Sequence, residues 1–245
     1  MRKWPNGARA AISLSFDDAR PSQLDVGIPA LDAHNAKATF YVTVQAMKLR
    51  LDDWKRVVAN GHEIGNHTMN HPCSGNYEWM RHEHILESYT IERIEQDIGA
   101  AQDAIRETLG VTARTFAYPC GQKFVGREFM TRSYVPIIAK RFIIGRGFND
   151  TTANDPAYFD RAQTLGVDMD MKSFDDLKPQ IDAAIARGAW LVLVGHDVGK
   201  LPTRQTTLVE TIDAICGFCR ENDVWLDSVY GVASYLLKPS EPNRA

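Results

Sequence analysis

The 245-residue chain reads as an α/β protein with a parallel sheet. A closed or nearly closed β/α barrel is the leading arrangement, ahead of an open doubly wound sheet. Three observations predict this class. Short apolar, β-branched runs alternate with longer segments of helical periodicity. The runs are apolar throughout rather than alternating, as strands buried on both faces are, which implies a parallel sheet covered by helices. With 44% hydrophobic residues, the chain can also bury a large core as one domain over 1–245.

Taken in order, a first strand is expected at Ala11–Phe16, where Ala-Ile-Ser-Leu-Ser-Phe leads directly into Asp17-Asp18. A second, rich in β-branched and aromatic residues, is expected at Ala38–Val44. Helical spacing then covers Leu51–Asn60 and His84–Leu109, stopped by Gly61 and Gly110, since glycine takes the left-handed conformation at no steric cost. Strands follow at Thr115–Tyr118 and Ile137–Phe142. A helix at Phe174–Arg187, stopped by Gly188, leads to a strand at Leu191–Val194. A helix at Gln205–Glu221, a strand at Val224–Leu226 and a helix at Val229–Leu237, ending before Pro239, complete the alternation. No internal repeat, low-complexity tract or long linker interrupts it.

Charge and hydropathy narrow the function. With 28 Lys+Arg against 31 Asp+Glu, the net charge of −3 argues against a nucleic-acid partner, which needs a concentrated basic face. No run approaches the ~20 apolar residues of a membrane span. MRKWPNGARAAISLSF has a basic start but no apolar stretch before the first strand, so no signal peptide is expected. The compartment stays open between cytoplasmic and a leader-trimmed secreted or periplasmic location, and the oligomeric state is equally open. Four cysteines could form two disulfides or none. Cys216 and Cys219 have redox-pair spacing, but they fall inside a helical pattern with Leu208, Ile212 and Ile215, which makes Cys219 a core residue.

A parallel β/α fold should gather its functional residues at the C-terminal ends of the strands. Four constellations lie there. Asp17 and Asp18 follow the first strand and can serve one site only if the chain turns between them. His67 and His71 in HTMNH stand four apart, so their imidazoles share one side of a helical turn or strand. Two imidazoles and a carboxylate suit zinc or a neighbouring transition metal with positions left for water and substrate. Five of the seven histidines lie between His62 and His84, yet His62 reads as structural and His82 and His84 as surface residues. Tyr118-Pro119-Cys120-Gly121 is a tight turn that can aim an N–H into a pocket as an oxyanion donor. The apolar run from Trp190 delivers His196 to its end.

Together these motifs resemble the polysaccharide deacetylases of carbohydrate esterase family 4, in the family's order from about Ala10 to Leu237. SFDD matches Thr/Ser-Phe-Asp-Asp, HTMNH matches His-Thr/Ser-x-x-His, and YPCG stands at the Pro-Tyr/Phe-Gly turn. LVLVGHD stands at Leu-x-Leu-x-His with one extra residue before the histidine. The resemblance implies a distorted (β/α) barrel of about seven parallel strands and removal of acetyl groups from an N- or O-acetylated carbohydrate. It implies Asp17 as general base, His196 as general acid, and Asp18, His67 and His71 as ligands of one divalent ion. Zn2+ is the first choice, with Co2+, Ni2+ or Mn2+ also compatible. Tyr118, Pro119 and Cys120 would form the oxyanion and substrate side, with Cys120 in place of the usual aromatic. The family's arginine two residues before that proline is replaced by Ala117, and Arg161 is the candidate substitute. Asp168 and Asp170 are the candidates to orient His196.

Three other readings share these residues: an amidohydrolase for a small amide or cyclic imide, a binding protein with a structural metal, and a two-histidine-one-carboxylate iron oxygenase. A structural metal site needs no spare base or acid, and the alternation with its additional aspartate disfavours the oxygenase.

Overall fold

Eight consecutive buried residues, Ala10–Asp17, form the central strand β1 of a computed structural model that describes residues 4–238. Its side chains alternate between two environments. Ala10, Ile12, Leu14 and Phe16 join Leu191 and Leu193 in the main core, whereas Ala11 packs with Trp190, Val192 and Ile144 in a second cluster. Ser13 and Ser15 on this second face are satisfied within the sheet: Ser13 Oγ accepts from Trp190 Nε1 at 3.0 Å, and Ser15 Oγ donates to Leu193 O at 2.9 Å.

The other strands of the main sheet are Thr39–Val42 (β2), Glu63–Asn66 (β3), Thr115–Ala117 (β4), Ile144–Arg146 (β5), Val167–Asp168 (β6), Trp190–Gly195 (β7) and Val224–Leu226 (β8). Seven of them run parallel in the order β5-β4-β3-β2-β1-β7-β6, and β8 pairs with the first three residues of β1. The sheet curls until its outer strands approach. Thr164, just before β6, exchanges backbone hydrogen bonds with the β5 end: Thr164 N to Gly145 O at 2.9 Å and Gly147 N to Thr164 O at 2.7 Å. The result is the distorted parallel barrel, not the open doubly wound alternative.

Helices clothe the outside: Ile28–Ala33 (α1), Val44–Leu49 (α2), Leu51–Ala59 (α3), Ile91–Leu109 (α4), Val135–Arg141 (α5), Phe174–Arg187 (α6), Val209–Glu221 (α7) and Val229–Leu237 (α8). Gly110 and Gly188 are left-handed caps at φ 72° and 60°, the expected stops of α4 and α6. Helix α8 closes the N-terminal end of the barrel. Its Val229 N–H donates to Thr39 Oγ1 and its Tyr230 N–H to the Glu63 carboxylate, both at strand starts, while Val229, Val232 and Ala233 join the second apolar cluster. The opposite, C-terminal end is left for chemistry.

Several expected elements are corrected. Ile137–Phe142 lies mostly within helix α5. A short apolar run does not distinguish a strand from a buried helical turn, and Pro136 in the first turn with Lys140 and Arg141 in the last favours the helix. The neighbouring strand is β5. Strand β6, helix α1 and helix α2 were not expected, while β3 is the strand that leads into HTMNH; Val44 ends no strand but begins α2. The helix expected from Gln205 begins only at Val209, because Thr206–Leu208 pairs with Asp197–Gly199.

Candidate active site

The barrel end collects the residues of the four strand-end constellations. After β1 the chain turns sharply through Asp18 and Ala19, both in the left-handed region at φ 79° and 57°. That turn lets Asp17 point into the barrel and Asp18 toward the histidines. HTMNH forms neither a helical turn nor a strand but a loop, with Thr68 at φ 66° and His71 at φ 49°. The two rings meet edge to face with centroids 4.8 Å apart. Asp97, buried on α4, anchors this loop by accepting from Met69 N at 2.7 Å, Asn70 N at 3.2 Å and Asn70 Nδ2 at 2.6 Å.

Asp18 Oδ1 lies 3.6 Å from His67 Nε2 and 3.4 Å from His71 Nε2. His67 Nδ1 donates to Ala117 O at 2.9 Å, which fixes the ring so that Nε2 faces Asp18. Burial and the neighbouring His67 push the His71 imidazolium down to about 4, against the attraction of Asp18, so His71 is neutral at physiological pH. Burial opposes ionisation of Asp18, but His71, His67, His196 and Arg20 more than compensate and hold it well below the usual carboxylate range. Two imidazoles and one carboxylate, with donor atoms within 4.8 Å of each other, fit a first-row divalent ion. The second Asp18 oxygen is engaged by Arg20 at 2.9 Å, which leaves Oδ1 for the cluster; Arg20 also reaches Asp197 and Gln205.

Asp17 Oδ2 is 3.9 Å from His67 Nε2, and its other oxygen accepts from Arg146 Nη2. Arg146, at the end of β5, is 0% exposed and lies over the Tyr41 ring at 4.9 Å. Burial favours the neutral form of Asp17, yet Arg146, His67 and His196 outweigh it and keep the carboxyl ionised. Arg146, not Arg161, therefore neutralises Asp17. Arg161 is exposed and donates to Ala139 O on α5, outside the site.

His196 is 7% exposed at the end of β7. Its Nδ1 lies 2.6 Å from Asp170 Oδ2; Asp170 also accepts from His196 N at 3.2 Å and Thr207 Oγ1 at 2.7 Å. Burial works against the imidazolium, but Asp170, Asp17 and Asp18 raise the His196 pKa on balance. Of the two candidates Asp170 faces His196, while Asp168 meets Lys172. Gly195 permits this packing, since a Cβ there would stand 2.0 Å from Thr207 Oγ1. Gln23 ties the two halves together by donating to Asp17 O at 2.6 Å and His196 O at 2.9 Å.

The Tyr118–Gly121 turn borders the cluster. Cys120 is left-handed at φ 54°, and its N–H has no acceptor among the described residues. The Tyr118 side chain, however, is fully buried in the core with its hydroxyl donated to Ala162 O, so it does not line the site. Pro119 is buried within the turn. Cys120 is bonded to Cys73, so the four cysteines form one disulfide rather than two or none; Cys216 and Cys219 are free and buried, as the helical reading of Cys219 required. His62 packs on Phe40 and accepts from Ala38 N, a structural role. Beside His71, Trp79 (60% exposed) stacks on Tyr77 (41% exposed) and forms an aromatic surface at the mouth.

Arg146, Asp97, Gln23 and Arg20 escaped the sequence reading. Arg146 left a signal as a cation ending the apolar Phe142–Ile144 run, and Asp97 as a carboxylate among the apolar positions Ile94, Ile98 and Ala101 of α4.

A family profile described as polysaccharide deacetylase matches residues 5–129. Chitin deacetylase 1 of Cryptococcus neoformans is 32% identical over 108 residues, covering 44% of this chain and 20% of that protein. The chain covers only 27% and 5% of two other curated relatives, so it spans a minor part of such proteins. Two solved structures share the fold. A Mycobacterium smegmatis protein described as a polysaccharide deacetylase superposes with TM-score 0.66 at 16% identity, covering 100% of this chain and 97% of that one. A family 4 acetyl xylan esterase from Clostridium thermocellum, in complex with a cobalt ion, gives 0.59 at 20% identity, covering 92% and 91%.

Proposed function

The chain belongs to the polysaccharide deacetylase family, and we propose that it hydrolyses acetyl groups from an N- or O-acetylated carbohydrate. One observation carries the reading: the Asp18/His67/His71 cluster has an ionised carboxylate, Asp17, on one side and a carboxylate-backed imidazole, His196, nearby. A structural metal would need neither.

Asp18, His67 and His71 would hold one divalent ion, with zinc as the first choice and cobalt, nickel or manganese compatible. Such an ion acidifies a water molecule and polarises the acetyl carbonyl. Asp17, held by Arg146, takes the proton of the attacking water. The Cys120 N–H faces the oxygen that becomes negative. His196, protonated and oriented by Asp170, gives its proton to the departing amine or alcohol, and acetate leaves. The Tyr77–Trp79 surface suits a sugar ring more than a small cyclic imide. Extra groove aromatics serve an extended substrate, and this favours the carbohydrate over the small-amide reading. The Cys73–Cys120 disulfide suits an oxidising compartment.

Acetate release from acetylated chito-oligosaccharides, a monosaccharide and a cyclic imide tests the assignment. Oligosaccharide turnover should dominate, and Asp17→Asn should lose about 10²–10⁴-fold in kcat, the range of a general base. Full activity in that variant would remove Asp17 from its role.

A further inference from the structure

His71 lies between two donor sets, one for each ring nitrogen. Nε2 faces Asp18 Oδ1 at 3.4 Å, and Nδ1 faces Cys73 Sγ at 3.8 Å. Unlike His67, whose Nδ1 is committed to a carbonyl, His71 has its second nitrogen beside sulfur. A His71 ring nitrogen and the sulfurs of Cys73 and Cys120 lie within 4.8 Å of one another, as the donor atoms of Asp18, His67 and His71 also do. While the sulfurs are bonded to each other they are poor donors, because the thiolate is the metal-binding form of cysteine.

We propose that Cys73, Cys120 and His71 form a second, latent site for a thiophilic divalent ion, closed by the disulfide and opened by its reduction. The two sites compete for His71. A neutral imidazole has one lone pair, so it ligates through one nitrogen and keeps its proton on the other. An ion held through Nδ1 leaves Nε2 protonated and removes His71 from the set with Asp18 and His67. Two thiolates and one imidazole, with a fourth position for water, match a tetrahedral zinc or cobalt site. The competition rests on the proposed function through the role given to His71; the site itself does not.

The opening step is an exchange with a dithiol. The dithiol supplies two electrons and closes to its own cyclic disulfide. The Cys73–Cys120 bond breaks, and each cysteine sulfur takes up one proton. Ion binding then releases those protons. Cys216 and Cys219 are poor rivals, since burial pushes both thiols up to about 12.

The test uses the whole chain, oxidised or reduced by a dithiol that is then removed anaerobically, with one equivalent of Co2+ added. The oxidised protein should show no sulfur-to-cobalt charge-transfer band. The reduced protein should show that band, titrate two more thiols after denaturation, and lose about tenfold or more in acetate release, the scale of a disturbed ligand set. Re-oxidation by a disulfide reagent should reverse all three. In Cys73→Ser/Cys120→Ser no band should form, and dithiol treatment should leave that variant's own rate unchanged. Reduced wild type without the band overturns the latent site. So does a band that persists in the double variant, because it places the ion on Cys216 and Cys219. Failure of the proposed function looks different: the oxidised protein then releases no acetate, whatever the spectrum of the reduced form.

Discussion

Asp17 and His196 owe their protonation states to partners across the barrel. Arg146 keeps Asp17 ionised in a buried position; Arg146→Met leaves that carboxylate without its countercharge, which costs about 3–5 kcal/mol unless the group takes up a proton. The expected outcome is a fall in kcat/KM near neutral pH with the acid limb of the pH profile displaced upward, read from a pH–rate series. His196 behaves oppositely. Its raised pKa keeps the imidazolium present to higher pH than in an ordinary histidine, and the acid function is lost as pH rises through the folded value. Asp170→Asn removes the hydrogen-bonded carboxylate and leaves Asp17 and Asp18 alone to oppose burial, so the alkaline limb should move to lower pH. An unchanged alkaline limb would show that Asp170 does not tune His196. Asp17, Asp18, His67, His71 and His196 were legible in the sequence because each ends or follows an apolar run. Arg146 is 129 positions from Asp17 and Asp170 is 26 from His196, separations that no local pattern reports.

Among the elements, helix ends were the easiest to read and short strands the hardest. Gly110 and Gly188 stop α4 and α6 through a local conformational preference that survives in any fold. Strand β6 has two residues and β5 three, too few for a periodicity, and the apolar run beside β5 was claimed by α5. Helix α8 illustrates an end whose role depends on packing. Ser228 Oγ caps it by accepting from Gly231 N at 3.0 Å, while Thr39 and Glu63 receive its first N–H groups. Ser228→Ala should cost about 1 kcal/mol in chemical denaturation. Acetate release should be unaffected, because α8 closes the barrel end away from Asp17 and His196.

At the scale of the molecule, the barrel brings residues from β1, the loop after β3, β5 and β7 to one end, so an ion bound there joins segments far apart in the chain. Binding to the folded state alone stabilises it by about 2.7 kcal/mol at a hundredfold excess over Kd. Zn2+ or Co2+ should therefore raise Tm, a chelator should reverse the rise, and His67→Ala should abolish it in a thermal melt. By itself the sequence determined the alternation of strands and helices, the helix stops, and the chemical identity of the strand-end carboxylates and imidazoles. These are properties of neighbouring residues, set by side-chain period and backbone preference. Only the tertiary structure decided that Arg146 rather than Arg161 meets Asp17, that Asp170 rather than Asp168 backs His196, and that Cys73 bonds Cys120 beside His71. Those pairings follow from strand order and the curl of the sheet, which place distant residues within a few ångströms and leave no periodic trace in the chain.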